Sequence, residues 1–396
     1  MSSGWSTAAE RLQAHYQAFK VNERILLTGH SHQAWPDVAR EGQLLAFEHA
    51  ALHVDDKWEL AFAQADQVRA GFAERLGDSR GDYVLGQNTQ ELLVRWLSAL
   101  PLDHKPHLVT TDGEFHSMRR LLARLDETEL TVTRVATEPV NTLSERLWAA
   151  CTDNTAAIMC SMVLFQTGQV VPHMNTLAQR CDERNLPLLL DAYHLVNALP
   201  FSMDNELPDS TFVVGGGYKY CQLGEGNCFL RVPKGCDWRP VVTGWYAEFA
   251  QLTETAAKTA NQTVTYGTGR WAFEGSTYDP TSHYRAARVW QFFNEQQLTP
   301  TRLRAISAEQ LQFMREQLSQ YTWPEHIKLP TQPLSELGGF LVVKTPKAGD
   351  YVERLRAHNV WTDSRGDSLR LGPAPYVTAD QLITAVERLH AITLQD

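Results

Sequence analysis

The feature that most constrains this chain is an alternation, between about residues 80 and 235, of short apolar runs with segments of helical periodicity. Asp82–Gly86, His107–Thr111, Leu130–Val135, Ala156–Val163, Leu186–Asp191 and Thr211–Val214 read as strands. Between them, Leu92, Leu93, Trp96, Leu97 and Leu100 recur at helical spacing. Phe115–Leu125, Leu143–Ala150 and Asn175–Arg184 read as helices. Strands this continuously apolar are covered on both faces, as in a mostly parallel sheet. The alternation predicts a doubly wound α/β domain, in which ligands sit at the carboxyl ends of the strands.

Beyond residue 285 the pattern changes. A helical stretch runs from Tyr284 to Tyr321, with a break near Gln297 to Pro300. Leu337–Val343 is strand-like, Tyr351–His358 helical, and Val360–Leu371 reads as strands around a turn at Arg365–Asp367. A last helix spans Thr378–Ile392, opening on Thr378-Ala379-Asp380-Gln381, a capping box. The expected organisation is an N-terminal segment plus large α/β domain over 1–285 and a smaller α+β domain over 286–396.

Composition narrows the function classes. The formal net charge is −10 and there is no basic block, which argues against nucleic acid and anionic membrane as partners. Local basic pockets for a phosphate or carboxylate remain open. The first 20 residues lack the apolar core of a signal peptide and predict a short amphipathic helix. The most apolar stretch, Ile158–Phe165, is too short to span a bilayer. The six cysteines form no CxxC pair and fit no zinc template. The expectation is a cytoplasmic protein with neither a disulfide framework nor a metal site.

Nine lysines are present, and Lys219 stands apart. It follows an apolar strand and the run Gly215-Gly216-Gly217-Tyr218, where glycines permit a sharp turn and close approach. A lysine held there has its amine pKa lowered by desolvation, as Schiff-base chemistry with an aldehyde requires. A surface lysine in a glycine turn fits the same segment. Asp191 ends a strand containing Leu188, Leu189 and Leu190, the place for a carboxylate that pairs with a pyridine nitrogen, or for a helix cap. His194 is placed to bond a phenolic oxygen or the substrate, or to be structural. Asn88-Thr89-Gln90-Glu91 reads as a capping box with Asn88 as N-cap, and its free N–H groups suit a phosphate. The order of these pieces is more specific than any one of them.

On these residues the chain resembles the pyridoxal phosphate enzymes of fold type I, in the class V aminotransferase group, and within it most resembles kynureninase. The resemblance is carried by Leu27-Thr28-Gly29-His30-Ser31, Asn88-Thr89, Phe115 with Ser117, Thr167-Gly168-Gln169, Asp191-Ala192-Tyr193-His194, Tyr218-Lys219-Tyr220, Gly244-Trp245-Tyr246 and Leu369-Arg370-Leu371-Gly372-Pro373-Ala374-Pro375. It implies pyridoxal 5'-phosphate as cofactor, with Lys219 bonded to its aldehyde and shuttling a proton, and Asp191 on its ring nitrogen. Phe115 would stack on the ring. Asn88, Thr89, Gln90 and Tyr218 would hold the phosphate. Arg370 would clamp the substrate carboxylate, with His30 and Ser31 also facing the substrate. Trp245 and Thr277 would reach the site from a partner subunit, which implies a homodimer.

Departures from the kynureninase pattern lie at Phe273–Thr277, at His116 and Met118, and at His30 and His32. The resemblance implies hydrolysis of a Cβ–Cγ bond of an amino acid, releasing alanine. Alternatives are β-elimination or C–S lysis, transamination, epimerisation, or a catalytically silent homologue that binds a partner. Cysteine desulfurase chemistry needs a nucleophilic cysteine on a late loop, and the last cysteine is Cys236.

Overall fold

The computed structural model describes residues 4–251 and 263–395. The chain begins with α1 (Gly4–Gln13), β1 (Ile25–Leu26), α2 (Ala39–His53) and α3 (Lys57–Leu76). The central part follows as β2 (Gly81–Gly86), α4 (Thr89–Leu97), β3 (His107–Thr111), α5 (His116–Leu125), β4 (Thr131–Val135) and α6 (Leu143–Ala149). It continues with β5 (Thr155–Ser161), α7 (Met174–Glu183), β6 (Leu188–Asp191), α8 (Met203–Glu206), β7 (Phe212–Gly216) and β8 (Cys228–Pro233). The C-terminal part holds α9 (Thr281–Glu295), α10 (Pro300–Ser319), β9 (Leu341–Lys344), α11 (Ala348–Ala357), β10 (Val360–Trp361), β11 (Asp363–Arg365), β12 (Ser368–Leu371) and α12 (Ala379–Thr393).

The central sheet has the order β2-β8-β7-β6-β5-β3-β4. From β4 through β3, β5 and β6 to β7, neighbours are parallel; β8 alone opposes its neighbours, β7 and β2. Successive side chains of a strand point to opposite faces, and here both faces are buried. Ile158, Cys160 and Leu190 join one apolar cluster, whereas Ala157, Met159 and Leu189 join the other. That is why these strands read as unbroken apolar runs.

The sheet puts the carboxyl ends of β2, β3, β5, β6 and β7 along one edge. β11, β12 and β9 form a smaller antiparallel sheet. The capping box at Thr378 forms as expected, with Gln381 reciprocating. At Asn88 only half of the expected box forms. The Asn88 side chain accepts the Glu91 N–H, but Glu91 reaches the Gln87 N–H rather than that of Asn88.

Other differences have plain causes. β1 pairs in parallel with β10, and Gln381 Nε2 donates to the Val21 carbonyl, so the N-terminal segment is stitched to the C-terminal module. Helix α3 escapes notice because Ala61, Ala65 and Gly71 carry much of its buried face, and small residues weaken the apolar signal. Strand β8 is disguised by Arg231, a buried charge in its middle. The glycines before Lys219 do not turn the chain. None has a positive φ, and Gly215 and Gly216 lie within β7. They serve close approach: a Cβ on Gly216 would meet the Tyr193 hydroxyl at 2.4 Å, and one on Gly217 would meet Leu223 at 2.5 Å.

Candidate active site

Asp191 is the last residue of β6. Its Oδ1 accepts the Tyr193 N–H at 2.8 Å, and no protein donor among the described residues takes Oδ2. Burial raises its pKa, opposed by the Tyr193 N–H and the Lys219 charge. One strand over, the chain leaves β7 and reaches Lys219, which is 4% exposed. Its Nζ lies 2.7 Å from His194 Nε2. Burial lowers the amine to about 7; the Asp191 carboxylate works against this shift and the Arg370 charge adds to it. A lysine so placed is neutral in substantial fraction near pH 7. His194 is held neutral by burial and by the nearby Lys219 and Arg370 side chains, and its Nδ1 has no partner among the described residues.

A cavity of about 330 Å³ joins these groups to Asn88, Thr89, Phe115 and Tyr218. The Lys219 amine is 5.2 Å from the centre of the Phe115 ring and 4.5 Å from that of Tyr193. Helix α4 starts at its rim, and the N–H groups of Thr89 and Gln90 find no acceptor among the described residues. Free N–H groups and the helix dipole favour an anion there. The Gln90 side chain is exposed and does not line the cavity.

The other expected residues lie elsewhere. Arg370 and His30 are buried and are not among the residues lining this cavity; both are bonded to Asp363. Ser31 bonds its own turn through the Thr28 carbonyl. Thr277 lines a neighbouring cavity of about 560 Å³, which shares Gln87 with the first. Trp245 is 43% exposed and stacks on Phe249.

Sequence reading missed Asp363 and Glu114. Glu114 is 2% exposed and takes hydrogen bonds from Thr111 Oγ1 and Ser161 Oγ, each 2.6 Å, and from the Ser161 N–H at 3.1 Å. It ties the tips of β3 and β5 to the loop that presents Phe115. Burial raises it to about 7 against those bonds, and Asp191 contributes repulsion. Its only signal in the sequence is a carboxylate between Gly113 and Phe115 directly after a buried strand.

The fold is that of the fold type I pyridoxal phosphate enzymes, with a mostly parallel central sheet flanked by helices. The cystine C–S lyase C-DES, solved with its product cysteine persulfide, superposes with a TM-score of 0.78 at 15% identity, covering 95% of this chain and 99% of that one. A cysteine desulfurase from Thermococcus onnurineus NA1 gives 0.78 at 14% identity, covering 98% of each. By sequence, the chain is 22% identical over 347 residues to an uncharacterized aminotransferase, YcbU, of Bacillus subtilis (strain 168), covering 87% of this chain and 88% of that protein. It is 26% identical over 266 residues to a kynureninase of Bacillus cereus, covering 65% of this chain and 60% of that enzyme. No family model matches the sequence.

All six cysteines are free. Among the described residues, no group of His, Cys, Asp and Glu side chains is arranged to hold a metal ion, and no helix is long and apolar enough to cross a membrane.

Proposed function

We propose that this chain is a pyridoxal phosphate-dependent enzyme acting on an amino acid, with kynureninase-like hydrolysis of a Cβ–Cγ bond that releases alanine. One observation carries the reading. A buried lysine, lowered to about 7, faces a strand-end aspartate across a cavity rimmed by a helix N-terminus. The residues fit the cofactor. The free Oδ2 of Asp191 matches a protonated ring nitrogen, the Thr89 and Gln90 N–H groups match its phosphate, and about 330 Å³ lies in the range of small-molecule sites.

When bound, the cofactor supplies an electron sink for charge developing at the substrate Cα. The neutral amine of Lys219 would hold the cofactor through its aldehyde and, being buried beside the cavity, would serve to take the proton from the substrate Cα. His194 Nε2, 2.7 Å away, holds that amine in place. Phe115 and Tyr193 flank the amine and exclude water. Tyr218 adds its hydroxyl to the phosphate end, and Arg370 takes the substrate carboxylate. Trp245 and Thr277 act on the site of a partner subunit in a homodimer.

The second reading is β-elimination at a carbon–sulfur bond. That reaction asks only for proton transfer at Cα and a leaving group, which Lys219 and His194 serve. A desulfurase is disfavoured. Cys228 is the thiol that lines the cavity, and burial pushes it up to about 12, so it is no thiolate.

The test is to add pyridoxal phosphate and follow visible absorbance, then supply L-kynurenine, 3-hydroxykynurenine and cysteine conjugates. Alanine with an aromatic acid supports hydrolysis, whereas pyruvate with ammonia supports elimination. A protein that stays colourless with excess cofactor overturns both. A coloured protein that turns over none of the panel points to the catalytically silent homologue.

A further inference from the structure

Arg370 is the residue expected to receive a carboxylate, yet its guanidinium is bonded on two sides. Nε donates to Asp363 Oδ1 at 2.8 Å, Nη2 donates to Asp363 Oδ2, and Nη1 donates to the Phe165 carbonyl at 2.6 Å. A guanidinium carries five N–H groups. Those bonds leave one N–H on each terminal nitrogen and none on the Nε edge.

The arrangement is built into the fold. β11 and β12 are antiparallel with Asp363 directly opposite Arg370, so the two side chains share a face of the hairpin. His30 lies 2.7 Å from Asp363 Oδ1 and is fully buried. It fits only because residue 372 is glycine, where a Cβ would lie 2.3 Å from His30 Nδ1. Burial works against the Asp363 carboxylate, but the bonds from His30 and Arg370 hold it well below the usual range. The Arg370 charge is felt at Lys219 and His194, and Phe165, which bonds it, lines the cavity.

We infer that Asp363, steadied by His30, is a positioning residue for substrate recognition, which occupies the Nε edge of Arg370 and leaves only its terminal N–H pair for an amino acid with a free α-carboxylate. The inference rests on the proposed function. Asp363 also keeps Arg370 from standing as an uncompensated buried cation before substrate arrives. The ligand class is an α-amino acid whose carboxylate is unsubstituted; an amide or ester in its place is neutral and offers the pair no anionic oxygen.

The test uses the protein loaded with pyridoxal phosphate and two probes, L-alanine and L-alaninamide, which share an amine and differ in the carboxylate. Their affinities are read from the shift of the visible cofactor band. Wild type should favour L-alanine. In Asp363→Ala that preference should fall about tenfold, the effect of misplacing a charge-assisted hydrogen bond, while the cofactor band and the affinity for L-alaninamide hold. Asp363→Asn keeps one acceptor for Nε and should fall between the two; it decides the matter if the alanine variant does not fold. An unchanged ratio in the asparagine variant, a parallel weakening of both probes, or a stronger preference for L-alanine would each overturn the assignment. A wild-type protein that takes up no cofactor is a different failure, and it sinks the functional reading itself.

Discussion

The two ends of the central sheet bury charge in opposite ways. Toward the amino end of β2, Arg231 and Asp78 are both buried side chains in an ion pair of 3.0 Å. Every group there is used. Arg231 also donates to the carbonyls of Asp209 and Thr211, and Asp78 also accepts from Tyr83 Oη and the Gly81 N–H. At the carboxyl end, Lys219 is buried and Asp191 half-buried on the wall of the cavity; among the described residues the two make no ion pair, and Asp191 Oδ2 and His194 Nδ1 lack partners. Burial without a partner shifts pKa values, and shifted values beside a cavity mark a site for chemistry. The fully bonded pair marks structure.

Substitutions can break that contrast. The largest effect expected is at Lys219. Lys219→Ala should abolish the borohydride-stable adduct with pyridoxal phosphate, and mass spectrometry of the reduced protein checks this. An adduct that persists would place the chemistry on another lysine. The same site should be nearly silent in folding, with Lys219→Met leaving the cofactor-free protein at least as stable as wild type in urea. Arg231→Met should do the reverse. Stranding Asp78 should cost about 3–5 kcal/mol in the same titration, with cofactor uptake kept in whatever protein remains folded.

Asp191→Asn comes next. Losing one charge-assisted hydrogen bond of about 1.5–3 kcal/mol predicts an affinity for pyridoxal phosphate roughly tenfold to a hundredfold weaker, measured by fluorescence titration. The pH dependence sharpens the comparison further. Only the neutral amine condenses with an aldehyde, and Lys219 is lowered to about 7. Cofactor capture should therefore slow as pH falls below about 7 and level off above it, whereas an ordinary lysine would place the midpoint near 10.4. A rise still continuing at pH 9 would contradict the burial argument. The smallest effect is at the helix start, where Asn88→Ala should cost the cofactor-free protein about 1 kcal/mol through loss of the cap.

Much of the fold was legible because its strands are buried on both faces. Leu188, Leu189 and Leu190 announce β6 without ambiguity, and the next polar residue, Asp191, marks its carboxyl end. Lys219 was legible by its unusual context rather than by geometry. The pairing of β1 with β10 was not, because two residues carry no periodicity of their own. Nor was Asp363, which sits in a polar hairpin and gains meaning only from the residue across from it.

Arg370 was implied only by the resemblance to a known family. By itself the sequence determined the α/β alternation and the cap residues, and set Lys219 and Asp191 apart by their context. These follow from local preferences and from hydrophobic periodicity, which need only neighbours in the chain. Tertiary structure alone decided what each group faces. Strands far apart in sequence bring Lys219 to His194 and Glu114 to Ser161, and hairpin register turns Arg370 toward Asp363. Partners and pKa shifts depend on distance and burial in space, and neither is written in the order of the residues.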